Sequence, residues 1–431
     1  MSPSVILLAA GKSTRTWPIR EKIFFPLCGK PVIQHQIEAL LSAGLQDICV
    51  VGNIENIEKI KEICLPLPGN FSFAIQEILE DGQRGGILSA ENFISEEKPL
   101  CIVCSNDIVE NNVFQNLLHK AESSPAEILF VAKKVEKYFP GGYLSTDGEG
   151  RITGIVEKPK PGTEPSNLVS LLIHFYRSPR ELFTLLKTKS SGDYYEELLQ
   201  QWFSEGRHAE VLEYTGFWQA IKYPWHLLLL REWFLNNLQL SIHPSAIVSK
   251  NAVIRGNVVL SEGVRVFDFS VIQGPVYIGK NTVIANHTLV RDSIIGDSCV
   301  IGHTTEIARS ILGNACWTHQ NFVGDSIFQD NVSLGAGTRT GNLRLDEQNI
   351  FSDIKGEKVC SELSKFGSII GENVRIGINT SLMPGIKIGA NSFLGGGVTC
   401  HTDIPDSTFF TNIPQEKRKK NIFSVEKRKD F

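Results

Sequence analysis

No apolar stretch of this 431-residue chain reaches the length that spans a membrane. Its N-terminus also lacks the basic segment, apolar run and cleavage pattern of a secretory signal, so the expectation is a cytoplasmic protein. Nor is there an excess of positive charge. The 43 Lys and Arg against 47 Asp and Glu give a formal net charge of −4, which argues against a general nucleic-acid binder. The nine cysteines are odd in number and lie in apolar runs, as reduced core residues do. Cys101 and Cys104 have redox or metal spacing, but inside a strand they face opposite ways and no second Cys or His pair is near; they read as core. What remains, 42% hydrophobic and 21% charged residues, describes an ordinary globular protein whose length predicts two domains.

Two phosphate-loop fingerprints are also missing. Gly11-Lys12-Ser13-Thr14 looks like the end of a Walker A loop, but Ile6 occupies the place of its first glycine. The dinucleotide pattern G-x-G-x-x-G lacks its later glycines. What is there still predicts a polyanion cradle. Val5 to Leu8 reads as a buried parallel strand, the loop after it is basic and contains glycine, and Pro31 to Leu41 has helical spacing. Such a loop sets backbone N–H groups and cations at the carboxyl edge of an α/β sheet, where ligands bind.

Residues 1 to 238 alternate apolar runs with amphipathic stretches, which predicts a Rossmann-like βαβ domain. Strands are expected at Ile48–Val51, Phe71–Gln76, Leu100–Cys104, Ile128–Ala132, Leu168–Tyr176 and Val211–Tyr214. Helices are expected at Ile54–Ile63, Gly86–Phe93, Val113–Glu122, Pro179–Leu186, Tyr194–Ser204 and Trp225–Leu238. Ser178-Pro179-Arg180-Glu181 reads as an N-cap serine, a first-turn proline and a capping-box glutamate. The strand Leu100–Cys104 runs into Ser105-Asn106-Asp107, which delivers a carboxylate to the same sheet edge. One carboxylate near a triphosphate suits Mg²⁺, which takes few protein ligands.

The stretch Ala9-Ala10-Gly11 through Thr14-Arg15, with Lys22 and Gly29-Lys30-Pro31, resembles the signature of the sugar-1-phosphate nucleotidylyltransferases, with Ser13 replacing a glycine. The resemblance implies that Ala10, Gly11, Lys12, Ser13 and Thr14 bind nucleotide phosphates and that Arg15 and Lys22 are catalytic cations. It makes Asp107 the Mg²⁺ ligand, Gln76 and Gly82 base contacts, and Gly142, Glu157 and Lys158 sugar contacts. Gln83 and Arg84 replace the threonine and small residue of the base loop, which leaves the base open. Trp218-Gln219-Ala220-Ile221-Lys222 departs from W-x-D-I-G: Ala220 cannot ligate a cation where the family has a second carboxylate.

From Ser241 the texture changes to Gly, Asn, Ser and single aliphatics with a period of six, as in Val248, Ile254, Leu260, Val266, Ile272 and Ile278. After slips near Ser293 and Ile311 the period returns at Ile370, Ile376, Leu382, Ile388 and Leu394. A period of six predicts a left-handed parallel β-helix of hexapeptide repeats, about 18 residues per coil, over residues 241 to 412. The segment from Thr318 to Arg344 resembles the second half of archaeal-type bifunctional enzymes that join a uridylyltransferase to a glucosamine-1-phosphate acetyltransferase. That resemblance makes His319 a general base, Asn342 an acceptor contact and Ala336 part of an acetyl-CoA surface, and it implies a homotrimer. Phe322 replaces its tyrosine, Ala308 its first lysine, and two later lysines are absent. The expected activity is transfer of a nucleotidyl group, UTP favoured, to a sugar-1-phosphate, N-acetylglucosamine-1-phosphate favoured. The departures motivate two other readings: a weak, nucleotide-sugar-binding regulator, or an acetyltransferase alone. Residues 413 to 431 form a basic tail.

Overall fold

The structure is a computed structural model that describes residues 2–189, 191–192, 194–412 and 420; the basic tail lies outside the described residues apart from Lys420. Its first part contains β1 (Ser4–Leu8), α1 (Val32–Ser42), β2 (Asp47–Gly52), α2 (Ile57–Cys64), β3 (Asn70–Ile75), α3 (Gly82–Ser89), β4 (Leu100–Cys104), β5 (Asp107–Val109) and α4 (Asn112–Ser123). There follow β6 (Ile128–Lys134), β7 (Gly142–Thr146), β8 (Ile152–Glu157), β9 (Leu168–Tyr176), α5 (Pro179–Leu186), α6 (Tyr195–Ser204), β10 (Ala209–Glu213), β11 (Trp218–Ala220) and α7 (His226–Asn236).

The main sheet has the order β8-β7-β9-β4-β1-β2-β3, with β6 on the second edge of β9 and β10 beyond it. β1, β2, β3 and β4 are parallel, whereas β9 runs antiparallel to β4. Central strands are apolar on both faces because helices cover both. Val5, Leu7, Val50 and Val103 pack on the α1 and α4 side. Ile6, Val51 and Ile102 pack with Ile87 of α3 and Leu199 of α6. Cys101 is a free thiol in this core, whereas Cys104, expected there too, is half-buried and faces a cavity; burial pushes them up to about 12 and about 11. β4 and β7 share one edge of β9, at opposite ends of that strand, and the phosphate-side cavity opens over this junction.

From Ser241 to Phe410 the chain winds into three parallel sheets of eight, nine and eight strands. Leu260 stacks on Ile278 a full coil later; Ile278 on Ile295 and Leu312 on Phe328 close in shorter coils, which accounts for the slips in period. Nearly every corner needs a residue with positive φ, and asparagine fills many of them, including Asn281, Asn331, Asn373 and Asn391. Asn331, Asn373 and Asn391 also hydrogen-bond in a ladder at 2.8 and 3.1 Å. The inward aliphatics form one continuous core from Val258 to Ile404.

After Thr340 the chain leaves the coil, makes a hairpin of Phe351–Ile354 and Glu357–Cys360, and re-enters at Ile369. This excursion and one outer face of the coil pack against the first domain. Ile294, Ile311, Ile327, Ile354 and Phe366 join Ile19, Leu27, Trp225 and Leu228 in a single apolar cluster. Trp17 Nε1 and Arg20 both bind Asp406, at 3.1 and 3.0 Å, beside that cluster.

Two local expectations are corrected. Ser178 makes no side-chain cap on α5, and Glu181 is drawn instead to Arg207 at 2.5 Å, which also binds Glu127. β5, β7, β8 and β11 form where no strand is expected, because their mixed polar sequences are stabilised by pairing rather than by a periodic apolar face. Phe366 is fully buried and meets Trp225 edge-on at 6.0 Å. Phe366→Ala should therefore cost about 3–5 kcal/mol, seen as a lower guanidinium midpoint; an unchanged midpoint would mean that the two domains do not rely on this contact.

Candidate functional site

A cavity of about 590 Å³ lies over the carboxyl ends of β1 and β4. β1 delivers Ala10 and Gly11, and the loop continues through exposed Lys12, Thr14 and Arg15. Asn53 Nδ2 and Asn56 Nδ2 donate to Ala10 O and Ala9 O at 2.9 and 3.0 Å, which fixes the start of the loop. Ser13 turns inward: its hydroxyl accepts the Lys22 N–H at 3.0 Å. The serine that replaces a glycine thus holds the backbone of the lysine. Lys22 Nζ donates to Ile221 O at 2.7 Å, so the ammonium is anchored to the opposite wall.

β4 ends beside this loop and β5 begins with Asp107, only 8% exposed. Gln36 Nε2 holds the Asp107 carbonyl at 2.6 Å, and Trp218 Nε1 donates to its carboxylate Oδ2 at 3.2 Å. Burial raises the Asp107 pKa, while Lys222, the Trp218 hydrogen bond and Lys22 oppose that rise. Lys22 itself is lowered to about 8, chiefly by burial, with Cys104 and Asp107 favouring its charge and Arg15 and Lys222 opposing it.

The far walls carry the other expected residues. Gln76 follows β3, and its Nε2 donates to Ile78 O and Gly82 O at 3.1 and 2.8 Å, which turns its carbonyl oxygen towards Gly86. Arg84, in the first turn of α3, points away from the cavity. Its guanidinium binds Leu186 O, Asp81 and Lys189 O, so it ties that turn to the end of α5. Gly142 and Glu157 are register partners on the β7–β8 hairpin. A Cβ at Gly142 would lie 3.3 Å from Glu157 Oε2, so glycine keeps that carboxylate accessible.

Ala10, Gly11, Lys12, Arg15, Lys22, Gln76, Gly82, Asp107, Gly142 and Glu157 thus line one cavity. Ser13 and Thr14 border its neighbour, and exposed Lys158 lines neither; its Nζ lies 2.5 Å from Glu157. His319, Ala336 and Asn342 sit on the coil, apart from both cavities. His319 is exposed at one corner. Asn342 lies at another, where its Nδ2 binds Asp325, itself gripped by Arg309 at 2.7 Å. Lys222 is the one cation among several cavity residues that sequence reading missed. Only its position two residues past Ala220 hints at it, and the register partner of Ala220 is Asp107.

A larger cavity of about 880 Å³ separates the Gly11–Arg15 loop from the coil. Two of its cations are held in ion pairs, Arg20 with Asp406 at 3.0 Å and Lys387 with Asp403 at 3.1 Å. The smaller one has Arg15, Lys22 and Lys222 around Asp107 and so favours a polyanion. A divalent cation fits beside Asp107 with a single protein carboxylate, because Ala220 faces it and the described residues hold no cluster of three metal-ligating side chains. Mg²⁺ accepts that set when phosphate oxygens complete its shell.

Residues 4–221 match the family model described as nucleotidyl transferase, residues 237–328 the GMPPB C-terminal domain, and residues 367–402 the bacterial transferase hexapeptide repeats. The chain is 31% identical to the bifunctional sugar-1-phosphate nucleotidylyltransferase/acetyltransferase of Sulfurisphaera tokodaii, over 94% of this chain and 98% of that protein. It is 32% identical to the bifunctional protein GlmU of Methanococcus maripaludis, over 94% and 96%. A solved apo UDP-glucose pyrophosphorylase, 19% identical, superposes on 55% of this chain and all of its own with a TM-score of 0.47.

Since Lys22 is charged only below about pH 8, binding of a nucleoside triphosphate to the metal-free protein should weaken as pH rises through that value. Calorimetry across pH 7 to 9.5 checks this, and Lys22→Arg, which stays charged, should flatten the profile.

Proposed function

The chain belongs to the family of bifunctional sugar-1-phosphate nucleotidylyltransferase/acetyltransferases, and we propose that its first domain, residues 1–238, joins UTP to N-acetylglucosamine-1-phosphate with release of pyrophosphate. The observation that carries this reading is the meeting of Arg15, Lys22 and Asp107 with Gln76, Gly142 and Glu157 around one cavity.

An oxygen of the sugar phosphate attacks the α-phosphorus of the nucleotide. The bond from that phosphorus to the bridging oxygen of the β-phosphate breaks, and pyrophosphate leaves with the electron pair. No protein nucleophile is needed; positioning and charge neutralisation suffice. Arg15 and the Gly11–Thr14 amides hold the β- and γ-phosphates. Lys22, fixed by Ile221 O and the Ser13 hydroxyl, meets the α-phosphate. Asp107, with the nucleotide phosphates, would hold Mg²⁺, which when bound would supply charge neutralisation. The Gln76 carbonyl oxygen and the Gly82 backbone contact the base. Glu157 accepts hydroxyl hydrogen bonds of the sugar beside Gly142, and Lys158 steadies it. The enzyme works in the cytoplasm.

The β-helix, residues 241–412, assembles a homotrimer. Ile247, Trp317, Phe393 and Phe409 stand outward in one column of its nine-stranded sheet, 49–71% exposed. Acetyl transfer from acetyl-CoA is a second reading of the same coil, favoured by the exposed His319 as base, with Asn342 and Ala336 as substrate contacts.

Pyrophosphate release should appear with UTP, Mg²⁺ and N-acetylglucosamine-1-phosphate in a screen of nucleotides and sugar phosphates, and Lys22→Ala or Asp107→Ala should lower kcat/KM by about 10²–10³. Binding without turnover for every pair would replace the enzyme with a regulator. For the second reading, thiol release from acetyl-CoA with glucosamine-1-phosphate should vanish in His319→Ala; thiol release unaffected by that change would remove the role of His319.

A further inference from the structure

Ala220 and Asp107 are register partners on the β5–β11 ladder, and two residues later Lys222 reaches into the same cavity. Its backbone is fixed by the first turn of α7. His226 Nδ1–H donates to Ala220 O at 2.7 Å, and the Lys222 N–H donates to the same carbonyl at 3.1 Å. Its side chain is fixed at the far end as well. Nζ donates to Pro140 O at 3.2 Å and stands 4.9 Å from the centre of the Phe139 ring. Pro140 leads directly into Gly141 and Gly142, and Gly142 pairs with Glu157. The ammonium therefore bridges the wall that meets the sugar and the end of the cavity that holds Arg15, Lys22 and Asp107.

A sugar-1-phosphate whose hydroxyls lie on Glu157 has its phosphate at this junction. Lys158 has a positive φ of 45°, is exposed, and turns its charge onto the Glu157 carboxylate. Lys222 comes from the opposite wall, and with one N–H on Pro140 O its ammonium has two donors left for phosphate oxygens.

We propose that Lys222 is a substrate-binding residue that holds the phosphate of the acceptor sugar-1-phosphate, an inference that rests on the nucleotidyl-transfer reading above. Burial opposes the charge on this lysine, while Asp107 and Glu157 on either side favour it, as its bridging position requires. The alanine opposite Asp107 belongs to the same arrangement: an ammonium, not a second carboxylate, comes from the strand that faces Asp107.

Lys222→Met should raise the KM for N-acetylglucosamine-1-phosphate about 10- to 100-fold with little change in the KM for UTP, and Lys222→Arg should recover part of the loss. Calorimetric titration of N-acetylglucosamine-1-phosphate into the UTP-saturated protein without Mg²⁺ gives a readout independent of turnover, and binding should weaken by a similar factor in Lys222→Met. An unchanged KM and affinity for the sugar phosphate, or a rise confined to the KM for UTP, would overturn the assignment while turnover by the native chain left the nucleotidyl-transfer reading standing. Failure of the native chain to bind any sugar-1-phosphate would overturn the assignment too, and absence of turnover across the whole screen would overturn the reading beneath it.

Discussion

A buried carboxylate ringed by cations is the constraint on which the first domain turns. Asp107 sits at the end of a parallel strand where burial opposes its charge, and Lys222, Trp218 and Lys22 oppose that burial. The converse also holds, since Asp107 helps to keep two half-buried lysines charged. The set is therefore mutually stabilising without ligand, yet it carries more positive than negative charge towards the cavity. A polyphosphate is the guest that this imbalance favours.

The surrounding scaffold holds those charges by backbone contacts more than by ion pairs. Lys22 is tethered to Ile221 O, Lys222 to Pro140 O, and the Asp107 carbonyl to Gln36. Carbonyl anchors leave the formal charges available to a substrate, whereas carboxylate partners would neutralise them. The same logic separates the two cavities. In the larger one, against the coil, Arg20 of the first domain pairs with Asp406 of the coil and so joins the domains, and Lys387 pairs with Asp403 within the coil. The Gly11–Arg15 loop borders both, so it lies between the coil and the smaller cavity.

The coil contributes rigidity by repetition. Each aliphatic is buried by the coil above and the coil below, and corner asparagines tolerate the positive φ that each turn demands. Shortened coils and the excursion after Thr340 break the period without breaking the core, because the excursion packs its own apolar residues against Trp225 and its neighbours. The departures around His319 are consistent with the placement of Asn342 on another corner, where it donates to Asp325, which Arg309 also grips.

How much was legible in the chain follows from the range of the interactions concerned. The six-residue period, the buried strands β4 and β9, and the strand–loop carrying Gly11 to Arg15 are local patterns, and the sequence by itself determined them, since steric preference and burial act on neighbours along the chain. The strand–loop pattern also put Asp107 at the same sheet edge as the loop that carries Arg15, whereas Glu157 joined them only through resemblance, because nothing local brings it there. Tertiary structure alone decided the rest. Glu181 abandoned a cap for Arg207, Arg84 turned from the cavity to the end of α5, and Lys222 entered it. Each outcome depends on which distant backbone or charge lies within a few ångströms after folding, and the antiparallel pairing of Ala220 with Asp107 is the contact that aims the lysine.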